Sequence, residues 1–348
     1  MTEERLRELL DRFGNLRIAV VGDLFLDRWW EVDRGLDEPS VETGITAYQV
    51  VGKRKRAGAA GTVLNNLSDL GVGTLYAVSM VGDDGEGYEL QQLLSKKRVD
   101  TRYVVQSDKV FTPTYIKPMF FENGGRESES NRFDIKNYRK TPENITDKLI
   151  QNLRRAAQEA DALIVLDQLT YEDTGVVTAK LRGALASLAE ERPELLILAD
   201  SRMFADRFSG VIIKCNDKEA RKMVLGEDDG VFSLKALSGC MKELKRRTGK
   251  QVIITCGAKG ILVEDGGGAA LLPALPIEGE MDVCGCGDAC TSGMVSAFCA
   301  GATGPEAAEI GNLCASVTIR KIGTTGTASR PEILSQYEKF CKENGGLP

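Results

Sequence analysis

Met281-Asp282-Val283-Cys284-Gly285-Cys286-Gly287-Asp288 runs straight into a helical pattern of small residues over 289–300. Two glycines around one small residue permit backbone angles closed to other residues and let an anion come close. A helix that starts directly behind them offers free N–H groups and the positive end of its dipole, which together favour an anion. Asp288 is the discordant member, because a carboxylate beside a phosphate repels it. It makes sense as a base that takes a proton from a hydroxyl attacking that phosphate. The same residues also read as a tight turn capped by an aspartate. The rest of the chain decides between the two.

Upstream, residues 16–21 read as a buried strand: apolar, β-branched and closed by Gly22-Asp23. Residues 75–81, closed by Gly82-Asp83-Asp84-Gly85, form another, and 162–166, 195–199, 211–213 and 252–254 are further short apolar runs. Helical patterns cover 61–70, 145–160, 174–189, 219–225, 234–248 and 305–321. This alternation predicts an α/β fold with a doubly wound, mostly parallel sheet flanked by helices. Ligands of such sheets bind at the carboxyl ends of the strands, which points to Asp23, Asp167, Asp200 and Asn216. Residues 29–55 and 110–135 break the rhythm and alternate like amphipathic strands. They are expected to form a small antiparallel β-sheet lid over one end, excluding water from the chemistry, or else two surface hairpins. With no internal repeat and no low-complexity linker, 1–348 reads as a single domain.

A chain of 348 residues that is 42% hydrophobic can bury a large core. Its net charge of −6 argues against a nucleic-acid partner. No apolar run reaches about 18 residues, so no membrane partner is expected. Met1-Thr2-Glu3-Glu4-Arg5 lacks the basic-then-apolar layout of a signal peptide. Nine cysteines, an odd number and all from Cys215 onward, fit reduced thiols and a cytoplasmic location. There is no histidine, which excludes Ser-His-Asp and Cys-His catalysis and leaves acid–base work to Asp, Glu, Lys, Tyr or Cys. Cys284, Cys286 and Cys290 superficially resemble a metal cluster but lack a fourth ligand in paired spacing. They read instead as small residues filling space beside the glycine turn.

Gly22-Asp23-Leu24-Phe25-Leu26-Asp27 after the first strand is no Gly-x-Gly-x-x-Gly, and no P-loop motif occurs anywhere. A nucleotide therefore needs another cradle. Thr255-Cys256-Gly257-Ala258-Lys259-Gly260 after a strand, and Gly285 to Asp288 before a helix, are the two places that qualify.

Five motifs in order make the whole chain similar to the ribokinase-like (PfkB-type) carbohydrate kinases. Gly22 to Asp27 resembles the first-strand substrate motif, and Ala57-Gly58-Ala59-Ala60 with Asn65 the Gly-Gly signature. Lys214-Cys215-Asn216-Asp217-Lys218-Glu219 resembles the Asn-x-x-Glu motif, Thr255 to Gly260 the Thr-x-Gly-x-x-Gly loop, and Asp282 to Asp288 the Asp-x-x-Gly-x-Gly-Asp signature. Within the family the likeness is closest to the heptose 7-phosphate kinase domain, through 21–29, Arg132-Phe133-Asp134 and Ile322-Gly323-Thr324. At this length the nucleotidyltransferase domain fused to some of those enzymes is expected to be absent.

The resemblance implies ATP-dependent phosphorylation of a hydroxyl on a sugar or sugar phosphate. Asp288 would be the base, with backbone N–H groups of Gly285, Cys286 and Gly287 stabilising the transferred phosphoryl group. Asn216 and Glu219 would organise Mg2+ through waters, although Glu219 equally reads as a first-turn acid facing the helix dipole. Thr255, Gly257, Gly260 and Asn216 would cradle the nucleotide, with Asn312 and Ala315 near the adenine or simply in the core. Asp282 and the backbone near Gly323 would hold K+, or Asp282 caps the turn. On the acceptor side Asp27 would bind sugar hydroxyls near Gly58 and Asn65, and Lys117 or Arg132 would meet a phosphate already on the substrate. Lys53-Arg54-Lys55-Arg56 reads as a solvated strand edge that also attracts an anionic sugar. Pairing through the exposed lid edge predicts a homodimer.

Three departures from the family fall on the acceptor side. Gly61 stands where an asparagine is usual, Glu38 to Gly44 replaces a Pro-Glu-Ala-Pro run, and Asp167 to Tyr171 replaces Asp-Tyr-x-Lys-Gly. They leave two alternatives open: a kinase for another sugar or nucleoside, or a regulator that binds sugar or nucleotide without catalysis.

Overall fold

The apolar runs become strands of one nine-stranded sheet. The computed structural model describes residues 1–121, 127–226, 230–266 and 268–344, with side chains through 342. Across the sheet the strands are Gly268–Leu272, Ile261–Asp265, Val252–Thr255, Ile212–Asn216, Leu196–Ser201, Ala162–Asp167, Arg17–Gly22, Thr74–Gly82 and Val104–Ser107. All neighbours from Val252–Thr255 to Val104–Ser107 pair in parallel. The first two strands form an antiparallel hairpin that finishes the edge. Burial on both faces explains the unbroken apolar runs, such as the fully buried Ala162–Asp167.

Helices cover both faces. Glu3–Arg12, Ala60–Asp69, Gly85–Lys96, Cys286–Cys299, Gly304–Thr318 and Arg330–Asn344 lie on one side, and Glu143–Glu159, Ala179–Glu191, Asp217–Leu225 and Leu234–Thr248 on the other. The doubly wound α/β expectation holds. Most boundaries fall within a few residues of those expected, but the helix expected over 174–189 begins at Ala179. Asp173 has a positive φ of 61°, and Thr178 caps the helix by accepting from Leu181 N–H. The sequence pattern also missed the first and last helices, Gly85–Lys96 and the edge hairpin.

The lid is a second, five-stranded sheet, and it begins earlier than expected. Only Asp23 separates Arg17–Gly22 from the lid strand Leu24–Val32. That strand pairs antiparallel with Val50–Ala59, but parallel with Thr114–Phe121. The lid is therefore mixed, which corrects the antiparallel expectation. The parallel pair arises because more than fifty residues of α/β structure separate its strands, room enough for a crossover. Glu127–Glu129 and Phe133–Ile135 extend it antiparallel, and residues 122–126 of the second lid segment lie outside the described residues. Residues 33–49 contribute only a two-residue ladder, Glu38–Pro39 with Thr46–Ala47.

Candidate active site

The glycine-rich turn sits at the carboxyl end of the sheet as the start of Cys286–Cys299. Gly285 is the N-cap in the left-handed region, φ 79°, with no side-chain cap. A Cβ there would stand 2.7 Å from Thr325 Cγ2, so sterics and φ both demand glycine. Gly287 is not at positive φ. Packing does not demand glycine there either, because a Cβ would meet nothing nearer than Lys214 Nζ at 3.9 Å; what the bare backbone leaves is open room beside that ammonium. Cys286 N–H bonds Val283 O and Ala289 N–H closes on Gly285 O. Of the expected donors, Cys286 N–H is thus spent on Val283 O, while among the described residues Gly285 and Gly287 N–H have no acceptor. Asp288 N–H has none either, so Gly287 and Asp288 leave two donors at a positive helix end for an anion.

Asp288 is half-buried and its side chain has no hydrogen-bond partner among the described residues. Burial first, then the neighbouring Asp200, pushes its pKa up to about 7, against Lys214 and Arg202, which favour the anion. A carboxyl poised near neutrality can accept a proton at working pH. The carboxyl ends of two neighbouring strands supply the charges around it. Asp200 and Lys214 lie opposite each other in register and form an ion pair of 2.6 Å.

Asn216 and Glu219 form a capping box: Glu219 N–H bonds Asn216 Oδ1 and Asn216 N–H bonds Glu219 Oε2, both at 2.8 Å. Burial raises the Glu219 pKa, partly offset by that N–H. Its other oxygen remains available, so the pair fits a hydrated Mg2+ through one carboxylate oxygen. Asp282 acts as a turn cap. Oδ1 accepts from Cys284 N–H at 2.9 Å and Oδ2 from Gly323 N–H at 3.1 Å. This ties the turn to the loop after Gly304–Thr318. Among the described residues no group of three or more His, Cys, Asp or Glu side chains is arranged to hold a metal.

Thr255 ends its strand half-buried, and Gly257, φ 54°, faces open space. Gly260, φ 110°, is instead fixed by packing, since a Cβ would run into Leu272 O. Asn312 donates to Pro273 O at 2.9 Å and Leu272 O at 3.3 Å, fastening its helix to the edge hairpin. Ala315 is half-buried one helical turn further on.

On the lid, Asp27 is half-buried against the bare backbone of Gly58, where a Cβ would strike its carboxylate. Burial raises its pKa, and Lys117 and Arg132 pull it back. Lys117 lies over the Trp29 ring at 4.9 Å with no carboxylate partner among the described residues. Arg132 is clamped bidentate on Asp134 at 2.6 and 3.0 Å and stacks on Tyr115 at 4.2 Å.

The sequence profile of the pfkB family carbohydrate kinases matches residues 16–331. The chain belongs to that family. As a pfkB carbohydrate kinase it is 27% identical over 342 residues to "Bifunctional protein HldE" of Coxiella burnetii, covering 96% of this chain and 66% of that protein. It is 24% identical over 341 residues to the protein of the same name from Hydrogenovibrio crunogenus, covering 96% and 65%. The chain thus spans slightly less than two thirds of these relatives' length. Among solved structures, Escherichia coli phosphofructokinase-2 in complex with potassium superposes with a TM-score of 0.71 at 17% identity, covering 93% of this chain and 99% of that one. Arabidopsis thaliana ribokinase complexed with ribose and ATP gives 0.65 at 16% identity, covering 92% and 98%. These two likenesses concern the fold.

In this kinase the fold gathers Gly285, Cys286, Gly287 and Asp288 in one turn, with Glu219 and Asp27 close enough to share charges with the same cluster. Asn65 points elsewhere. Its amide donates to Ala57 O at 3.2 Å, and it lines a recess of about 210 Å3 with Arg56, Asp69, Lys97 and Thr327. Gly61 is buried against Ala57 and Leu24, and the residue of that turn nearest Gly285 is Thr62. Asp200 was marked only as a polar strand end, and the motifs gave no role to Thr62, Thr325, Arg202 or Lys214. A lysine ending the apolar run Val211-Ile212-Ile213 was the signal for the last.

Proposed function

We propose that this sugar kinase transfers the γ-phosphoryl group of ATP to a hydroxyl of an anionic sugar, with heptose 7-phosphate as the best candidate. The observation that carries the transfer is Asp288, a carboxyl with a pKa of about 7 beside two unbonded N–H groups at a helix start. Asp288 takes the acceptor's proton as its oxygen attacks. The N–H groups of Gly287 and Asp288 receive the charge that spreads over the transferred oxygens, about 3 kcal/mol for each well-aimed donor. Asn216 and Glu219 would hold hydrated Mg2+, which neutralises phosphate charge. Asp282 and the Gly323 backbone would hold K+. Thr255 and Gly257 would line the nucleotide phosphates.

The acceptor reading rests on the motif likeness to heptose 7-phosphate kinases, the curated relatives named HldE, and the lid charges. Asp27, stripped of water, suits paired hydroxyls. Lys117, with no acid partner among the described residues, suits a phosphate already on the sugar better than the clamped Arg132 does. One observation favours a second reading, another sugar phosphate. Asp167, in the altered 167–171 stretch, accepts from Ser201 at 2.9 Å and faces Arg182 at 3.8 Å, so it offers little to a sugar. We also propose a homodimer through the lid, whose Leu36, Val41, Ile45, Val51 and Phe133 are exposed. The test is ATP consumption across a library of sugars and sugar phosphates with Mg2+ and K+. Turnover on heptose 7-phosphate above all others supports the first reading, and preference for an unphosphorylated sugar overturns the role of Lys117.

A further inference from the structure

Lys214 lies in the middle of the strand Ile212–Asn216, two residues before its carboxyl end, and is only 4% exposed. Burial pulls its pKa down, but Asp200 outweighs that and holds it above the ordinary lysine value. Stability is a poor reason to keep such a pair, since a buried ion pair is often no better than two apolar residues. An ammonium has three donors. Asp200 Oδ2 takes one, and among the described residues the ammonium makes no second hydrogen bond, although Asp288 and Cys290 lie near enough to act on its charge. The ammonium also lies 3.9 Å from where a Gly287 Cβ would stand. Gly287 is not at positive φ, so what it contributes is an open path between this cation and the cradle.

We propose that Lys214 is a direct ligand of the nucleotide's terminal phosphoryl group, with Asp200 as the residue that positions it. This rests on the ATP reading above. Lys214 and the Gly287 and Asp288 N–H groups then converge on one anion from the strand side and the helix side. A lysine serves there as a point charge, tolerant of the changing geometry of a phosphoryl group in flight. ADP lacks that group, so the contact distinguishes ATP from ADP.

The rival account is that Lys214 merely neutralises Asp200. Two variants separate the accounts: Lys214→Met, and the double variant Asp200→Asn/Lys214→Met, which removes both charges and leaves no orphan. ATP and ADP binding are measured by calorimetry with Mg2+ and no acceptor, alongside kcat and a thermal melt. Both variants should weaken ATP about tenfold or more while leaving ADP within about twofold, and should lower kcat about 10²–10³-fold. Recovery of ATP affinity and kcat in the double variant overturns the proposal, as does an equal loss for ATP and ADP. Wild type that binds neither nucleotide overturns the ATP reading instead.

Discussion

The cradle and the lid are built by different means. The cradle is made of backbone: a left-handed Gly285, two open N–H groups, a capping box at Asn216, and an Asp282 that staples the turn to Gly323. Its charges, Asp288, Asp200 and Lys214, are wedged between sheet and helix. The lid is made of side chains on a mixed sheet whose cations are half-exposed or stacked on rings. It meets the body through Arg28 with Glu86 and Glu89, at 2.7 and 3.0 Å, and Lys55 with Glu89 at 3.3 Å. Backbone geometry tolerates few substitutions, whereas a side-chain surface can be retuned one residue at a time. On the proposed reading, chemistry belongs to the first region and acceptor choice to the second.

Variants that strike one region and spare the other sharpen this contrast. Asp288→Asn comes first. It should lower kcat by about 10²–10⁴-fold with nucleotide affinity unchanged, and a variant keeping more than about a tenth of kcat would remove the base. Gly285→Ala follows. Strain of about 1–3 kcal/mol, with the Thr325 contact, should lower kcat/KM about tenfold to a hundredfold for every acceptor alike. An effect confined to one acceptor would contradict the division. Lys117→Ala should raise KM about tenfold for a phosphorylated acceptor only, and Arg132→Ala, held by Asp134, should do less. The reverse order would exchange their roles.

The smallest effect concerns the junction of the two regions. Asp23 is buried between body and lid, accepts Val176 N–H at 2.8 Å on Oδ1, and leaves Oδ2 with no hydrogen-bond partner among the described residues. Burial, then Asp167, pushes its pKa up to about 7. Because the folded pKa lies above the unfolded one, the stability Asp23 contributes is complete below the ordinary carboxylate range and is lost as pH rises through about 7. Asp23→Asn escapes that loss. Its Tm relative to wild type should climb by a few degrees between about pH 5 and pH 8, and a gap independent of pH would show that Asp23 titrates normally.

The same contrast governs what could be read from the sequence. The sheet was legible because strands buried on both faces must be apolar throughout, and the cradle because only glycine satisfies φ 79° at position 285. The start of the lid at Leu24 was hidden. Leu24, Phe25 and Leu26 are buried and continue the apolar texture of the preceding strand with only Asp23 between. The parallel pairing with Thr114–Phe121 has no local signature at all, since it depends on what lies between the strands. Asn65 was drawn toward the sugar by its place in a motif. Its side chain turns back to Ala57 O, while Thr62 faces the cradle, which is a matter of helix phase. Asp200 was visible as a strand end, but its pairing with Lys214 needed the strand order.

The central claim is that Asp288 is a base tuned close to neutrality, and the dependence of kcat/KM on pH, which reports the free enzyme, tests it most directly. The ionised form is the working one, so kcat/KM should fall about tenfold per pH unit below about 7 and level off above. Asp288→Asn should abolish that limb. A wild-type kcat/KM that stays flat from about pH 5.5 to 8.5 would contradict the account.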